Sequence, residues 1–242
     1  MSQRRAEIAQ SLVASVTLGV GQFCTCPSVV VAAATGDTDA FATAVVDAAK
    51  AVPAGTMLTP RMGELYQQGV ERLSDRPAVD VLRDAGGPGG AAILSTSAKS
   101  FVNDELLHAE VFGPATMIVR HEDASQLLEV ARSLEGQLTA TIHGTEDDLQ
   151  EHQELIEVLA TKAGRLIFNG YPTGVEVCHA MVHGGPYPAS SDSRTTSVGS
   201  AAILRFARPV CYQSFPDATL PAELQDGNPL SIWRLVDGQR TK

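Results

Sequence analysis

The chain has 242 residues, 44% of them apolar and 19% charged, which suffices for a substantial core without metal or disulfide staples. Its formal charge of −10, from 18 basic and 28 acidic side chains with no Lys/Arg run, excludes a nucleic-acid binder and a ligand of anionic membranes. No apolar run approaches the ~20 residues that span a bilayer, and the first twenty residues lack the clean apolar segment of a signal peptide. Four unevenly placed cysteines are too few for a secreted disulfide scaffold, so the chain reads as a soluble, globular protein of the reducing cytoplasm.

Helical and strand-like patterns take turns along the chain. Residues 5–18 place Ile8, Leu12 and Val16 four apart, with Val13 beside them, and predict a helix ended by Gly19 and Gly21. Val29–Ala34 is a β-branched run suited to a buried strand. Asp37 is the expected N-cap of a helix bearing Phe41, Ala44, Val45 and Ala48 and closed by Pro53. Thr59-Pro60 starts another helix, which presents Met62, Leu65, Tyr66 and Leu73.

Asp84–Gly90 (DAGGPGG) is a loop. A short strand at Ala91–Ser95, a polar excursion through Glu105 and a strand at Ala115–Arg120 follow. The helix at 123–134 stops at Gly136, Leu138–His143 is a strand, and Thr145-x-x-Asp148 opens a helix in capping-box fashion. That helix ends before Gly164, and Arg165–Asn169 is a further strand. The alternation through 115–169 predicts crossover units on a parallel sheet, hence a doubly wound or three-layer α/β core. From Gly170 to Gly199 the pattern gives way to Gly, Pro, Ser and Thr, and irregular stretches of that length are usually functional. A short helix near 200–207, a strand at Pro209–Ser214 and an apolar tail around Trp233 complete the chain; the tail is expected to dock on its own domain or a neighbouring subunit.

Cys24, in Gly21-Gln22-Phe23-Cys24-Thr25-Cys26-Pro27, lies on a constrained loop where a thiol can act as a nucleophile. A small buried hydrophobe is the plain alternative. A metal site shared by Cys24, Cys26, Cys178 and His179 is the weaker one, because the paired C-x₂-C spacing is missing. Glu110, ahead of Val111-Phe112-Gly113-Pro114, is either a turn residue or a carboxylate able to accept a pair of sugar hydroxyls.

Taken together, G-Q-F-C, then E-V-F-G-P, then Gly164-Arg165-Leu166-Ile167-Phe168-Asn169, in that order and spacing, resemble the aldehyde dehydrogenase superfamily. The resemblance covers the whole chain but only the C-terminal, catalytic half of that family. His183 to Gly199, Arg208 to Gln213 and Gly227 to Arg234 look most like its 2-oxoglutarate semialdehyde (2,5-dioxovalerate) dehydrogenase branch. The resemblance implies a three-layer parallel-sheet catalytic domain over 1–208, without the N-terminal Rossmann-like cofactor domain, and an oligomerisation strand with C-terminal tail over 209–242.

It implies that Cys24 attacks an aldehyde, with NAD or NADP as oxidant, to give a thiohemiacetal and then a thioester. Glu110 would hold the nicotinamide ribose and Phe112 would border the ring. Phe23 and Asn169 would support the substrate site, Asn169 alternatively being a turn residue that closes its strand. No metal is implied, and the partners are a small aldehyde and further copies of the chain, as a dimer or tetramer. The general-base glutamate, the oxyanion asparagine and the cofactor turn of the family would all lie upstream of the cysteine, where this chain has only Met1 to Phe23. No G-x-G-x-x-G replaces them. Cys26 stands where the branch commonly has asparagine, and Ala109 where the superfamily often has a second glutamate. A remnant without dehydrogenase activity, serving as an oligomerisation module or partner of a full-length relative, is therefore the competing expectation, and residual esterase activity at Cys24 a third.

Overall fold

The computed structural model describes residues 4–242, which divide between Arg205 and Phe206 into two compact units. In the first, the four-spaced apolar residues fall on one face of α1 (Arg5–Thr17), burying Ile8, Leu12, Val13 and Val16. Strand β1 (Val29–Ala33) leads into α2 (Gly36–Lys50). The N-cap position of α2 is Thr35 rather than Asp37; Asp37 sits in the first turn, where its charge faces the positive helix end and pairs with Arg5. The helix ends at Lys50, short of Pro53. Helix α3 (Pro60–Ser74) starts as expected, with the Thr59 hydroxyl accepting from the Met62 N–H at 3.2 Å. Tyr66, Val70 and Leu73 turn inward, whereas Leu65 is half exposed on the flank of that stripe.

Strands β2 (Asp80–Arg83), β3 (Ala92–Ser97) and β4 (Ala115–His121) join β1 in a sheet of order β1-β4-β3-β2. β1, β4 and β3 run parallel, while β2, which periodicity had not marked, adds an antiparallel edge. The polar excursion after β3 holds a further helix, α4 (Ala98–Asn103), capped by the Ser97 hydroxyl and anchored by Phe101. Successive residues of a strand face opposite sides, and here both sides are buried. Ile93 and Ile118 point toward α1 and α2, among Leu12, Val16, Phe41 and Val45. Leu94, Met117 and Val119 point the other way, among Tyr66, Leu73, Phe101 and Val130. The result is the expected three-layer α/β core with a mostly parallel sheet. Each fully buried Phe contributes about 2–3 kcal/mol through the apolar area it removes from water.

Helix α5 (Ala124–Ser133), N-capped by Asp123, follows β4. β5 (Gln137–Ile142) does not return to the main sheet; it pairs in parallel with β6 (Ala163–Phe168) as a separate two-stranded sheet. The connection between them is broken at His152 into α6 (Glu146–Glu151) and α7 (Gln153–Lys162). Thr145 and Asp148 form the expected capping box, each side chain accepting from the other's backbone N–H.

In the second unit, a hairpin of β7 (Arg234–Val236) and β8 (Gln239–Thr241) turns at Asp237-Gly238, and the Arg234 guanidinium donates to the Gln225 carbonyl at 2.6 Å. The strand expected at Pro209–Ser214 is not formed: the segment is exposed and pairs with no other strand among the described residues. A strand requires a neighbour for its backbone groups, and Pro209 brings no N–H. Residues 200–206 form short 3₁₀ turns in place of an α-helix. No helix of the described residues is long and apolar enough to cross a membrane.

Candidate active site

The loop that carries Cys24 begins where α1 stops. Gly19, Val20 and Gly21 all adopt left-handed backbone angles, with φ of 57°, 59° and 64°. For Val20 this is strained, on the order of 1–3 kcal/mol, and its side chain is held by packing beneath Gly55 and Gly89. Gly21 is required twice over: its φ suits only glycine well, and a Cβ there would overlap the Gly113 carbonyl and the Pro114 nitrogen. The loop is therefore seated directly on the Glu110–Pro114 turn.

Its other residues are tied down around the cysteine. The Gln22 amide donates to the Gly19 carbonyl at 2.9 Å, and its oxygen accepts from the Leu58 N–H at 2.9 Å. The Phe23 ring lies over Gly19, and its carbonyl accepts from the Cys26 N–H at 3.0 Å, closing a turn with Cys24 at its exposed tip. Buried Thr25 donates to the Pro172 carbonyl at 3.3 Å. The Cys26 thiol points inward, to the carbonyls of Val16 at 3.6 Å and Gly113 at 3.7 Å. Burial, reinforced by the negative charge of Glu110, pushes that thiol up to about 12, so at neutral pH it is a hydrogen-bond donor and not a nucleophile.

The Glu110–Pro114 turn alternates. Val111 is buried against Gly69 of α3, and Gly113 lies against the Tyr66 ring, where no side chain fits. The Tyr66 hydroxyl donates to the Gly90 carbonyl at 2.6 Å and the Pro114 carbonyl at 3.2 Å. Between these anchors Glu110 and Phe112 face outward, and the Glu110 carboxylate forms no ion pair with any described residue.

Asn169 ends β6 at φ 52°, and its side chain is fully engaged away from Cys24. Its oxygen accepts from Arg4 at 2.8 Å and from the Gly144 N–H at 3.0 Å, while its amide donates to the Gly144 carbonyl at 2.9 Å. It joins the ends of β5 and β6 and launches the segment whose Pro172 carbonyl holds Thr25. Phe23, 45% exposed, borders the cysteine.

Residue reasoning did not single out His183. The irregular stretch after β6 folds back over the small sheet. The close contacts are Gly164 of β6 with the Gly184 carbonyl and Gly185 with the Gln137 carbonyl of β5, and they bring the His183 Nε2 to 3.3 Å from the Cys24 Sγ. The His183 backbone is fixed on both sides: its N–H donates to Thr196 at 2.8 Å, and its carbonyl accepts from the Ser197 N–H at 3.0 Å. Burial, with the nearby Arg165 guanidinium, shifts the imidazole's pKa downward, which favours the neutral ring. The one visible signal was a polar side chain just before Gly184-Gly185 in a Gly/Pro-rich stretch; nothing local tied it to Cys24. No cluster of three or more His, Cys, Asp or Glu is gathered for a metal among the described residues.

Residues 4–191 match the family model described as "Aldehyde dehydrogenase family". The chain is 47% identical over 247 residues to alpha-ketoglutaric semialdehyde dehydrogenase 2 of Azospirillum brasilense, covering 99% of this chain and 46% of that protein. It is 43% identical over 250 residues to alpha-ketoglutaric semialdehyde dehydrogenase of Acinetobacter baylyi, covering 100% of this chain and 47% of that one. The chain thus spans about half the length of the curated relatives it matches. Among solved structures, an aldehyde dehydrogenase of Bacillus cereus in complex with NAD+ superposes with a TM-score of 0.66 at 17% identity, over 81% of this chain and 40% of that one.

Proposed function

The chain belongs to the aldehyde dehydrogenase family, and from that premise we propose that it supplies the nucleophile for NAD(P)-dependent oxidation of an aldehyde, 2-oxoglutarate semialdehyde, to the carboxylate. One observation carries this reading: an exposed thiol on a loop pinned at every neighbouring residue and pressed, through Gly21 and Gly113, onto the turn that presents Glu110 and Phe112. The relatives' names support the choice of aldehyde.

The Cys24 sulfur attacks the aldehyde carbon, and the Cys24 backbone N–H donates to the oxygen that becomes negative; one such donor is worth ~3–4 kcal/mol in the transition state. The outward carboxylate of Glu110 suits a ribose diol, and the exposed Phe112 ring suits a flat heterocycle, so the pair fits a nicotinamide nucleotide. Such a group, held there by Glu110 and Phe112, would supply the acceptor for the hydride that leaves the substrate carbon. Water then cleaves the thioester and frees Cys24. Asn169 acts here as support for the loops, with Phe23 bordering the aldehyde.

We assign 1–208 to the catalytic domain and 209–242 to oligomerisation, through the edge of segment 209–214 and the apolar tail. Trp233 and Leu235, exposed at 70% and 71%, support a docking role for the tail in a dimer or tetramer. Four free cysteines support a reducing, cytoplasmic setting.

The test is to incubate the chain with 2-oxoglutarate semialdehyde and NAD+ or NADP+, following reduced-cofactor absorbance together with the mass of the Cys24 peptide. A Cys24 adduct that Cys24→Ala abolishes is the expected result. An unmodified Cys24 at saturating aldehyde overturns the nucleophile assignment. A modified Cys24 without cofactor reduction overturns dehydrogenase activity for this length of chain.

A further inference from the structure

We propose that His183 is the base that removes the Cys24 proton, a role that rests on Cys24 being the nucleophile. The geometry carries it: Nε2 stands 3.3 Å from Sγ, within hydrogen-bond reach of sulfur, although the two residues lie 159 positions apart. Nucleophile and base within hydrogen-bond reach is the arrangement that activates thiols in general.

The surroundings favour a neutral acceptor over a resident ion pair. The charged or titratable groups that face the ring are the Cys24 thiol and the Arg165 guanidinium, and no carboxylate pairs with it among the described residues. Arg165 is itself oriented by the Pro172 carbonyl, to which it donates at 2.7 Å. The Nδ1 of His183 is buried without a hydrogen-bond partner among the described residues, so none of their side chains orients the ring through it. Its position is set by the backbone clasp to Thr196 and Ser197. With the ring hydrogen on Nδ1, Nε2 presents its lone pair to the thiol.

In the step itself the Nε2 lone pair takes the Sγ hydrogen while the sulfur pair forms the S–C bond to the aldehyde. The carbonyl π pair moves onto oxygen, leaving an oxyanion and an imidazolium with net charge unchanged. The imidazolium then releases its Nε2 proton to water entering beside the exposed Cys24. Arg165, by disfavouring that cation, speeds the release.

The test needs no cofactor. Alkylation of the full chain by iodoacetamide is followed from pH 5 to 10 at each cysteine by peptide mass spectrometry. Exposed Cys211 serves as the internal reference. Wild-type Cys24 is expected to react faster than Cys211 at pH 7, and His183→Gln to slow Cys24 about tenfold there, at the low end for general-base assistance. The two curves are expected to converge near pH 10, where hydroxide replaces the base. Equal rates at pH 7, or a deficit in His183→Gln that persists at pH 10, overturns the proposal, the latter because it reports altered access and not proton transfer. If His183→Gln fails to fold, His183→Asn and the wild-type comparison with Cys211 decide; a Cys24 no faster than Cys211 at pH 7 overturns the role. His-dependent alkylation without an aldehyde adduct leaves the base in place and removes the function proposed above. A normal adduct rate in a folded His183→Gln removes the base alone.

Discussion

Replacing Gly21 by Ala probes the contact that seats the Cys24 loop on the Glu110–Pro114 turn. Two costs add. A residue with a Cβ at φ +64° loses about 1–2 kcal/mol to left-handed strain. The Cβ also meets the Gly113 and Pro114 backbone, which cannot swing aside as a flexible side chain would; overpacking of this kind costs about 1–3 kcal/mol. The sum, about 3 kcal/mol, corresponds to a melting temperature lower by roughly 6–12 °C in a chain of this size. Gly86 supplies the control: its φ is +68°, yet a Cβ there meets nothing within 4 Å. Gly86→Ala is therefore expected to lose only the strain, about 1.5 kcal/mol or roughly 3–6 °C on the same scale. Urea titration and thermal melts of both variants measure the difference directly. If the two fall by the same amount, the Gly21–Gly113 contact carries no energy and the seating of the loop must have another cause.

Tyr66→Phe removes the hydroxyl that satisfies the buried Gly90 carbonyl and is expected to cost about 1–3 kcal/mol in urea unfolding, with the alkylation rate of Cys24 changed little. Asn169→Ala, which loses three hydrogen bonds at φ 52°, is expected to destabilise by about 2–4 kcal/mol, and Asn169→Gly by less because the strain is relieved; a direct catalytic role would instead abolish turnover at unchanged stability. For Cys26, whose thiol moves from an ordinary 9.0 to about 12 on folding, the unfolded chain ionises first. Its contribution to stability is complete below pH 9, declines as pH rises toward 12, and is absent from the alkaline limb of Cys26→Ala when denaturation midpoints are plotted against pH. Mass spectrometry of the alkylated chain at pH 8 is expected to find Cys24 modified and Cys26 intact.

What was legible in the sequence was local. The four-residue spacing of Ile8, Leu12 and Val16, the Thr59-Pro60 start and the Thr145/Asp148 box each act within one or two turns, and each forms as read. β2 escaped because it is a four-residue edge strand whose first two residues are exposed and whose ends are charged, so no apolar run marks it. α4 escaped because six residues with only Ala98 and Phe101 buried leave no helical period to detect. Leu65 fits the spacing of its helix yet lies on the flank of the buried stripe, because periodicity fixes a stripe only to within a neighbouring row. Of the candidate site, Cys24, Glu110 and Phe112 could be named from linear motifs, whereas the inward turn of Cys26 and the approach of His183 depend on segments that meet only after folding.

The 159-residue separation between Cys24 and His183 also sets an order of events during synthesis. A ribosome adding about 5–20 residues per second needs roughly 8–30 s to travel from the cysteine to the histidine. Throughout that interval the nascent chain displays the thiol without its imidazole. In the scheme above, the thiol meets its imidazole only after the Gly/Pro-rich stretch has emerged and closed over the small sheet, so completing the pair waits on a segment made long after the cysteine.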